Sequence, residues 1–200
     1  MTEFGIFLQE NLGEHNPEEV EELILDNLFS SINQFSKEQN LALSQYNNLF
    51  HLSLNNLGIS SLENFPLIQN LLILEIKQNK LTGNDFDIIP KLYPNIYKLK
   101  ISYNFIKTIK PFKHFQKSNI KKIEVSGNEF IIKVENYRNE LFNLLPELMI
   151  IDGISKDGDT INTTIYSEYS IDNNFSYESE EVEDDEKDET YNIYEDEEDD

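Results

Sequence analysis

The chain has 200 residues, of which 38% are hydrophobic, and its formal net charge is −22 at pH 7. It contains no cysteine, which excludes disulfides, thiolate nucleophiles and thiolate zinc sites. The large negative charge disfavours direct binding of nucleic acid, because a phosphate backbone would be repelled, and favours a cationic partner.

The start of the sequence gives no sign of export or membrane insertion. Residues 1–12 carry Glu3 and Glu10 but no basic residue, so we expect neither a secretory signal nor an Arg-rich transit peptide. No apolar run approaches the roughly 18 residues that a membrane span requires. We therefore expect a soluble intracellular protein that does not bind a membrane.

The N-terminal segment predicts a cap on a larger core. Phe4, Phe7 and Leu8 share one helical stripe, so their side chains can cover the open end of a stack of repeats. Asn16 and Pro17 then predict a helix start, with Asn16 as the N-cap and Pro17 at the first helical position.

A repeat dominates the middle of the chain. The pattern L-x-x-L-x-L-x-x-N-x-L occurs in three complete copies, with Asn79, Asn104 and Asn128 in the asparagine position. Residues 20–28 and 49–59 are variants with leucine in that position, and residues 148–151 are a degenerate last copy. The second anchor residues are 22 to 29 positions apart, which is the spacing of leucine-rich repeats. These anchors are Leu23, Leu52, Leu74, Leu99, Ile123 and Ile151.

The pattern has a direct structural meaning. The two residues of each L-x-L pair point to the same face of a short strand, and stacked repeats form a parallel sheet with one continuous core. Each asparagine falls where the chain leaves the strand, so its amide can bond backbone groups that the turn leaves unpaired. Leu28 and Leu57 cannot do this, so the first repeats must satisfy those groups in another way.

The end of the repeat region also reads as a cap. Residues 137–145 follow helical spacing up to Pro146, and residues 148–153 read as a closing strand. The sequence therefore predicts an α/β leucine-rich-repeat solenoid. We expect a parallel concave sheet, a helical or irregular convex side, a helical N-cap and a C-terminal repeat cap.

The last part of the chain differs in composition. Periodicity fades from Ser155 onward, and residues 178–200 contain 15 Asp and Glu but only one Lys. Self-repulsion and scarce apolar area predict a disordered acidic tail. We expect a repeat domain at residues 1–154 and a tail at residues 155–200. The tail carboxylates predicted to contact partners include Glu178, Glu180, Glu181, Glu183, Asp184, Asp185 and Glu186.

The sequence offers no constellation for catalysis. The three histidines, His15, His51 and His114, are far apart in the repeat map. No H-E-x-x-H, G-x-S-x-G or phosphate-cradling glycine loop is present. We therefore predict that the chain is not an enzyme and that it has no cofactor and no metal site.

The outward positions of the predicted strands are candidates for partner binding, because solenoids commonly bind on their concave surface. The first repeat is acidic there, whereas lysines cluster in the later ones and two tyrosines flank them. The candidate residues are Glu22, Ile24, Asp26, His51, Glu75, Lys77, Tyr97, Lys98, Lys100, Tyr103, Lys122 and Glu124.

Two segments resemble a known family. Residues 16–27, which read NPEEVEELILDN, resemble the opening repeat of the acidic leucine-rich nuclear phosphoprotein family. Residues 134–142, 144–148 and 151–153 resemble the C-terminal cap of that family, which several intracellular repeat proteins share. The resemblance covers residues 1–157, and the tail agrees by composition.

The resemblance implies a nuclear or shuttling regulator. Family members bind histones as chaperones, mask them from acetyltransferases, inhibit a serine/threonine phosphatase of type 2A and join RNA-export adaptors. Disordered carboxylates suit the histone role, because they neutralise basic histone tails without a fixed fit. Lys98, Lys100 and Lys122 would oppose a histone locally, so we assign this contact mainly to the tail and the acidic first repeat.

Two alternatives stay open. The repeat and cap also resemble the U2 small nuclear ribonucleoprotein A-prime family, which grips a partner RNA-binding domain, and the concave lysines would serve such a partner. The acidic tail argues against this alternative. A structural adaptor, such as a ciliary or dynein-associated repeat protein, is the other alternative.

Overall fold

The computed structural model describes Phe4 and residues 6–8, 16–28 and 32–161. Of the predicted tail at residues 155–200, residues 162–200 lie outside the described residues, and they include all the tail carboxylates predicted to contact partners. Within the described ranges, every helix falls short of the length or apolar character needed to span a bilayer. The strands are β1 (Glu22–Ile24), β2 (His51–Ser53), β3 (Ile73–Glu75), β4 (Lys98–Lys100), β5 (Lys122–Glu124), β6 (Ile150–Ile151) and β7 (Ile154–Ser155). The α-helices are α1 (Lys37–Leu43), α2 (Ile89–Leu92), α3 (Glu129–Lys133) and α4 (Tyr137–Leu144), and 3₁₀-helices cover Pro17–Glu19 and Lys110–Phe115.

One sheet contains all seven strands in chain order. Pairing is parallel from β1 to β6, and the repeat anchors are partners in register. Leu52 lies between Leu23 and Leu74, and Leu99 lies between Leu74 and Ile123. The strands are short because the chain must leave the sheet after each L-x-L pair to reach the next repeat. The predicted α/β leucine-rich-repeat solenoid is confirmed.

Apolar side chains from successive repeats form one core behind the sheet. The anchors Leu52, Leu74 and Leu99 are fully buried. Aromatic rings fill the space toward the convex side, where Phe35 stacks on Phe65 with ring centroids 4.6 Å apart. Farther along the stack, tilted and edge-on contacts with centroid distances of 5.5 to 6.3 Å join Phe86, Phe112, Phe115 and Phe130.

Asn79, Asn104 and Asn128 occupy equivalent buried positions at the ends of β3, β4 and β5. The amide of Asn104 donates to the carbonyls of Ile76 (2.9 Å) and Ile101 (3.0 Å). Its Oδ1 accepts from the Leu81 backbone N–H at 2.9 Å. Each asparagine thus ties its own turn to the preceding repeat, and it satisfies backbone groups that water cannot reach.

In the repeat that has Leu57 in the asparagine position, Asn79 of the next repeat accepts the hydrogen bonds of the turn. Oδ1 of Asn79 accepts from the backbone N–H groups of Leu57 (3.1 Å) and Ile59 (2.9 Å). The Leu57 carbonyl in turn accepts from Ile32 N–H at 2.7 Å, so backbone groups pair directly in the first turn. This is how the first repeats satisfy their turns without an asparagine of their own.

The N-terminal cap closes one end of the core. Asn16 Oδ1 accepts from Glu18 N–H at 3.2 Å, so Asn16 is the N-cap of the 3₁₀-helix that begins at Pro17. Phe4 and Leu8 are buried members of the core, and the Phe4 ring lies 6.0 Å from that of Phe35.

At the other end the chain reverses after β6 and pairs antiparallel as β7. Arg138 on α4 secures the reversal, because its guanidinium donates to the carbonyls of Ile151 (2.8 Å), Ile154 (3.1 Å) and Ser155 (3.2 Å). An isolated bridge joins Ile154 to Thr160. Sheet pairing therefore continues past residue 154. The function of residue 154 as the boundary between repeat domain and tail stays a prediction.

Candidate protein-binding surface

The parallel register arranges the outward-facing side chains in columns across the concave face. His51 lies between Glu22 and Ile73, and Lys100 lies between Glu75 and Glu124. Neighbouring strands are about 4.8 Å apart, so opposite charges in one column come within ion-pair distance. The register therefore decides which charges pair on this face.

The centre of the concave face is a buried charge cluster around Glu75. This carboxylate is only 6% exposed. Lys100 Nζ lies 2.8 Å from it, and His51 Nε2 and Lys77 Nζ each lie 3.0 Å away. Burial alone would raise the pKa of Glu75, but hydrogen bonds from His51, Lys100 and Lys77 outweigh it and hold the pKa well below its usual range. The carboxylate is therefore ionised and acts as the hub of the cluster.

The predicted lysine cluster is compensated by neighbouring groups. Glu124 lies 3.6 Å from Lys98 Nζ and 3.9 Å from Lys100 Nζ. The ammonium of Lys122 lies over the Tyr97 ring, 5.3 Å from its centroid. Across the face the formal charges balance, because four carboxylates face four lysines. These residues are Glu22, Asp26, Glu75, Glu124, Lys77, Lys98, Lys100 and Lys122.

The acidic first repeat is held in a second polar network. Asp26 Oδ1 accepts from the Ser53 hydroxyl (2.7 Å) and the Asn55 backbone N–H (2.8 Å). Asp26 Oδ2 accepts from the Asn55 side-chain amide at 2.8 Å. Ser53 and Asn55 were not among the predicted contact residues. The signal that points to them is their place in the outward columns, one repeat after Ile24 and Asp26.

The candidate residues differ in their access to a partner. His51 is only 3% exposed, so it contributes to the network rather than to the surface. Ile24 on β1 is 59% exposed, although it is apolar. Tyr97 precedes β4 and Tyr103 follows it, so the two tyrosines lie at opposite edges of the sheet. Ile24 and Tyr103, which is 61% exposed, are the most accessible apolar candidates.

The described residues contain no grouping of His, Asp and Glu that could hold a metal ion. His51 lies on β2 and His114 lies in the 3₁₀-helix on the convex side, while His15 is outside the described residues. Nδ1 of His51 and Oε1 of Glu22 are 3.8 Å apart, and neither has a hydrogen-bond partner.

The comparisons with known proteins agree with this fold. No protein-family profile matches the chain. The chain is 37% identical over 147 residues to an acidic leucine-rich nuclear phosphoprotein 32-related protein of Plasmodium falciparum, covering 72% of this chain and 51% of that protein. It is 29% identical over 162 residues to acidic leucine-rich nuclear phosphoprotein 32-related protein 1 of Caenorhabditis elegans, covering 78% of this chain and 66% of that protein.

A solved structure supports the architecture alone. A chain of the Drosophila melanogaster SNF/U2A′ complex superposes with a TM-score of 0.55 at 18% identity, covering 68% of this chain and 74% of that chain. The present chain spans about half the length of the Plasmodium relative. The resemblance predicted from residues 16–27 and from the C-terminal cap is confirmed, because the chain is similar over most of its length to proteins named acidic leucine-rich nuclear phosphoprotein 32-related.

Proposed function

We propose that the chain is a non-catalytic nuclear regulator that binds basic proteins such as histones, chiefly through the carboxylates of residues 178–200. The observation that carries this proposal is the distribution of charge. Residues 178–200 contain 15 acids and one Lys, whereas the charges of the concave face balance. Long-range attraction of a cationic protein therefore originates mainly in the C-terminal segment.

The acidic first repeat is the proposed second contact. Glu18, Glu19 and Glu21 are exposed, and no lysine or arginine precedes Lys37 in the sequence. The concave lysines are paired with Glu75 and Glu124, which reduces their local repulsion of a cationic partner. A histone that approaches the N-terminal end thus meets uncompensated negative charge.

The family supplies the proposed consequences of binding. A histone held in this way is shielded from acetyltransferases, and the chain acts as a chaperone and an inhibitor of acetylation. A serine/threonine phosphatase of type 2A is the second proposed target. The relatives are named nuclear phosphoproteins, and this supports a nuclear location for the chain, with shuttling to the cytoplasm as part of the proposal.

A histone-binding assay at graded salt tests the proposal. Affinity should fall by about tenfold or more when salt rises from 0.05 to 0.3 M, since screening weakens contacts between exposed charges. Exchange of the 15 acids in residues 178–200 for asparagine and glutamine should remove most of the binding. A smaller loss is expected when Glu18, Glu19 and Glu21 are exchanged for glutamine.

The matched control exchanges three exposed acids that lie away from the first repeat, Glu135, Glu140 and Asp157, for the corresponding amides and should change affinity little. Salt-insensitive binding that survives neutralisation of residues 178–200 would contradict the proposal.

A second candidate function is the capture of a folded partner domain in the concave face. The exposed Ile24 favours it, and the solved SNF/U2A′ complex provides an example of the same fold in an assembly. Ile24→Ser distinguishes the two functions in the same assay. Histone binding should be unchanged by this substitution, whereas a partner held in the concave face should bind about tenfold more weakly.

A further inference from the structure

Two exposed aromatic residues lie in the turn after β4, at the edge of the solenoid where the strands end. Tyr103 is 61% exposed and Phe105 is 57% exposed, and they alternate with the buried Asn104 and Ile106. Both aromatic side chains are therefore directed away from the core, whereas Asn104 and Ile106 are directed into it. We call Tyr103 and Phe105, together with the flanking Lys80 and Lys107, the aromatic edge.

Tyr103 adopts a backbone conformation that is unfavourable for its residue type. Its φ is +56°, in the left-handed region that a bulky aromatic residue rarely occupies. The corresponding position of three other repeats contains asparagine or glycine, which tolerate this region more readily, and that of a fourth contains glutamine. These residues are Asn27, Asn56, Gly127 and Gln78, all with positive φ. The fold therefore requires the conformation but does not require a tyrosine to provide it.

The next repeat provides the space for the Tyr103 ring. A Cβ added at Gly127 would lie 2.7 Å from Tyr103 Cε1 and closer still to Cδ1, so no side chain fits beneath the ring. The Tyr103 backbone N–H donates to the Ser126 carbonyl at 2.8 Å, which fixes the position of this turn. The ring thus lies against a glycine, with most of its surface accessible to a partner.

Lysines flank the aromatic pair in the chain and on the preceding repeat. The turn segments stack in register, because Lys80 N–H donates to Ile59 O and Phe105 N–H donates to Leu81 O. Lys80 is therefore beside Phe105 on the preceding repeat, and Glu129 is beside it on the following one. Glu129 is shared by two lysines, Lys107 and Lys133. The edge has surplus positive charge on a chain whose net charge is −22.

We propose that the aromatic edge is a docking site for an acidic segment of a partner protein that presents a large apolar side chain between carboxylates. The apolar side chain packs against Tyr103 and Phe105 above Gly127, and the carboxylates meet Lys80 and Lys107. Aromatic contacts provide binding energy, and the lysines select the sign of charge. This site is distinct from the proposed function, since it takes an anionic partner rather than a cationic one.

Fluorescence anisotropy with the full-length chain tests the site. The probe is a labelled synthetic peptide with one Trp between runs of glutamate, and the comparison peptides contain Ala for Trp or Lys for Glu. The Trp–Glu peptide should bind most tightly. Tyr103→Asn should weaken it by about tenfold, the effect of losing one aromatic anchor.

A stability measurement separates docking from a structural role of the same ring. Asparagine occupies this position in two other repeats, so Tyr103→Asn should leave the thermal midpoint equal or raise it. Exchange of Lys80 and Lys107 for glutamine should weaken binding of the Trp–Glu peptide and flatten its salt dependence. The control Lys91→Gln, which removes a lysine from α2, should change neither the affinity for the peptide nor its salt dependence.

Three outcomes would overturn the proposal. One is a Trp–Glu peptide that does not bind, or that binds no better than its lysine counterpart. Another is Tyr103→Asn lowering the thermal midpoint while leaving peptide affinity unchanged. The third is tighter binding of phosphatidylserine vesicles than of the peptide with the same dependence on Tyr103, which would assign the edge to an anionic membrane surface.

Discussion

Replacing Glu75 by alanine should lower the free energy of unfolding by about 3 kcal/mol, because it leaves the Lys100 ammonium without its nearest counter-charge and His51 without its acceptor. Glu75 accepts from Lys100, whose side chain is 11% exposed, and from the buried His51. Removing one member of a buried ion pair costs more than the pair contributes, since the remaining charge is neither solvated nor matched. Chemical denaturation of the wild-type and Glu75→Ala chains measures the difference.

The matched control for Glu75→Ala is Lys77→Met. Lys77 also contacts Glu75, but its side chain is about one third exposed. Its loss should cost less than about 1 kcal/mol, as is usual for solvent-exposed ion pairs. Equal effects of the two substitutions would contradict the view that burial makes this cluster important for stability.

The charge cluster around Glu75 should make the free energy of unfolding depend on pH. The folded-state pKa of Glu75 lies below the ordinary carboxyl value of 4.5. Ionised Glu75 therefore stabilises the fold above pH 4.5, and this contribution is lost as the pH falls below that value toward the folded pKa. Glu75→Gln should flatten this acid-side slope, as measured by denaturation at a series of pH values.

Replacing Asn104 by alanine should lower the free energy of unfolding by about 3 kcal/mol, because the substitution leaves buried backbone groups without partners. The lost hydrogen bonds are those to the Ile76 and Ile101 carbonyls and from Leu81 N–H. Asn104 makes all three of these bonds, so its loss affects its own turn and the preceding one together. Urea denaturation provides the measurement.

An exposed asparagine provides the control for Asn104→Ala. The Asn95 amide donates to the Gln69 carbonyl at 2.9 Å, but this contact is open to solvent. Asn95→Ala should cost less than about 1 kcal/mol, because water replaces the lost donor. A small effect of Asn104→Ala would indicate that water reaches the turn or that the repeat rearranges.

The fold could be predicted from the sequence because its determinants are local and periodic. Each L-x-L pair places two apolar residues on one face, and the spacing of Leu52, Leu74 and Leu99 leaves room for only one strand and one crossover per repeat. The reversal into β7 could not be predicted in the same way. It depends on Arg138, which reaches carbonyls 13 to 17 residues away through tertiary structure.

The sequence predicts where the candidate surface lies but not which of its charges form ion pairs. The alternation that puts Leu74 inward puts Glu75 outward, so the sequence identifies the columns. It does not reveal that His51 and Lys100 both turn toward Glu75, because rotamers and the spacing of neighbouring strands decide that. The residue type of Tyr103 does not signal its left-handed backbone, and only Asn27, Asn56 and Gly127 at the corresponding position of other repeats point to it.

The central claim is that carboxylates outside the concave ion cluster hold the cationic partner. Amide hydrogen exchange of the intact chain, measured by mass spectrometry with and without core histones, tests this claim most directly. Histones should slow exchange chiefly in residues 178–200 and to a lesser degree in residues 16–28, where the acidic first repeat lies, and leave residues 98–124 unchanged. Protection centred on residues 98–124, with residues 16–28 and 178–200 unaffected, would contradict the claim.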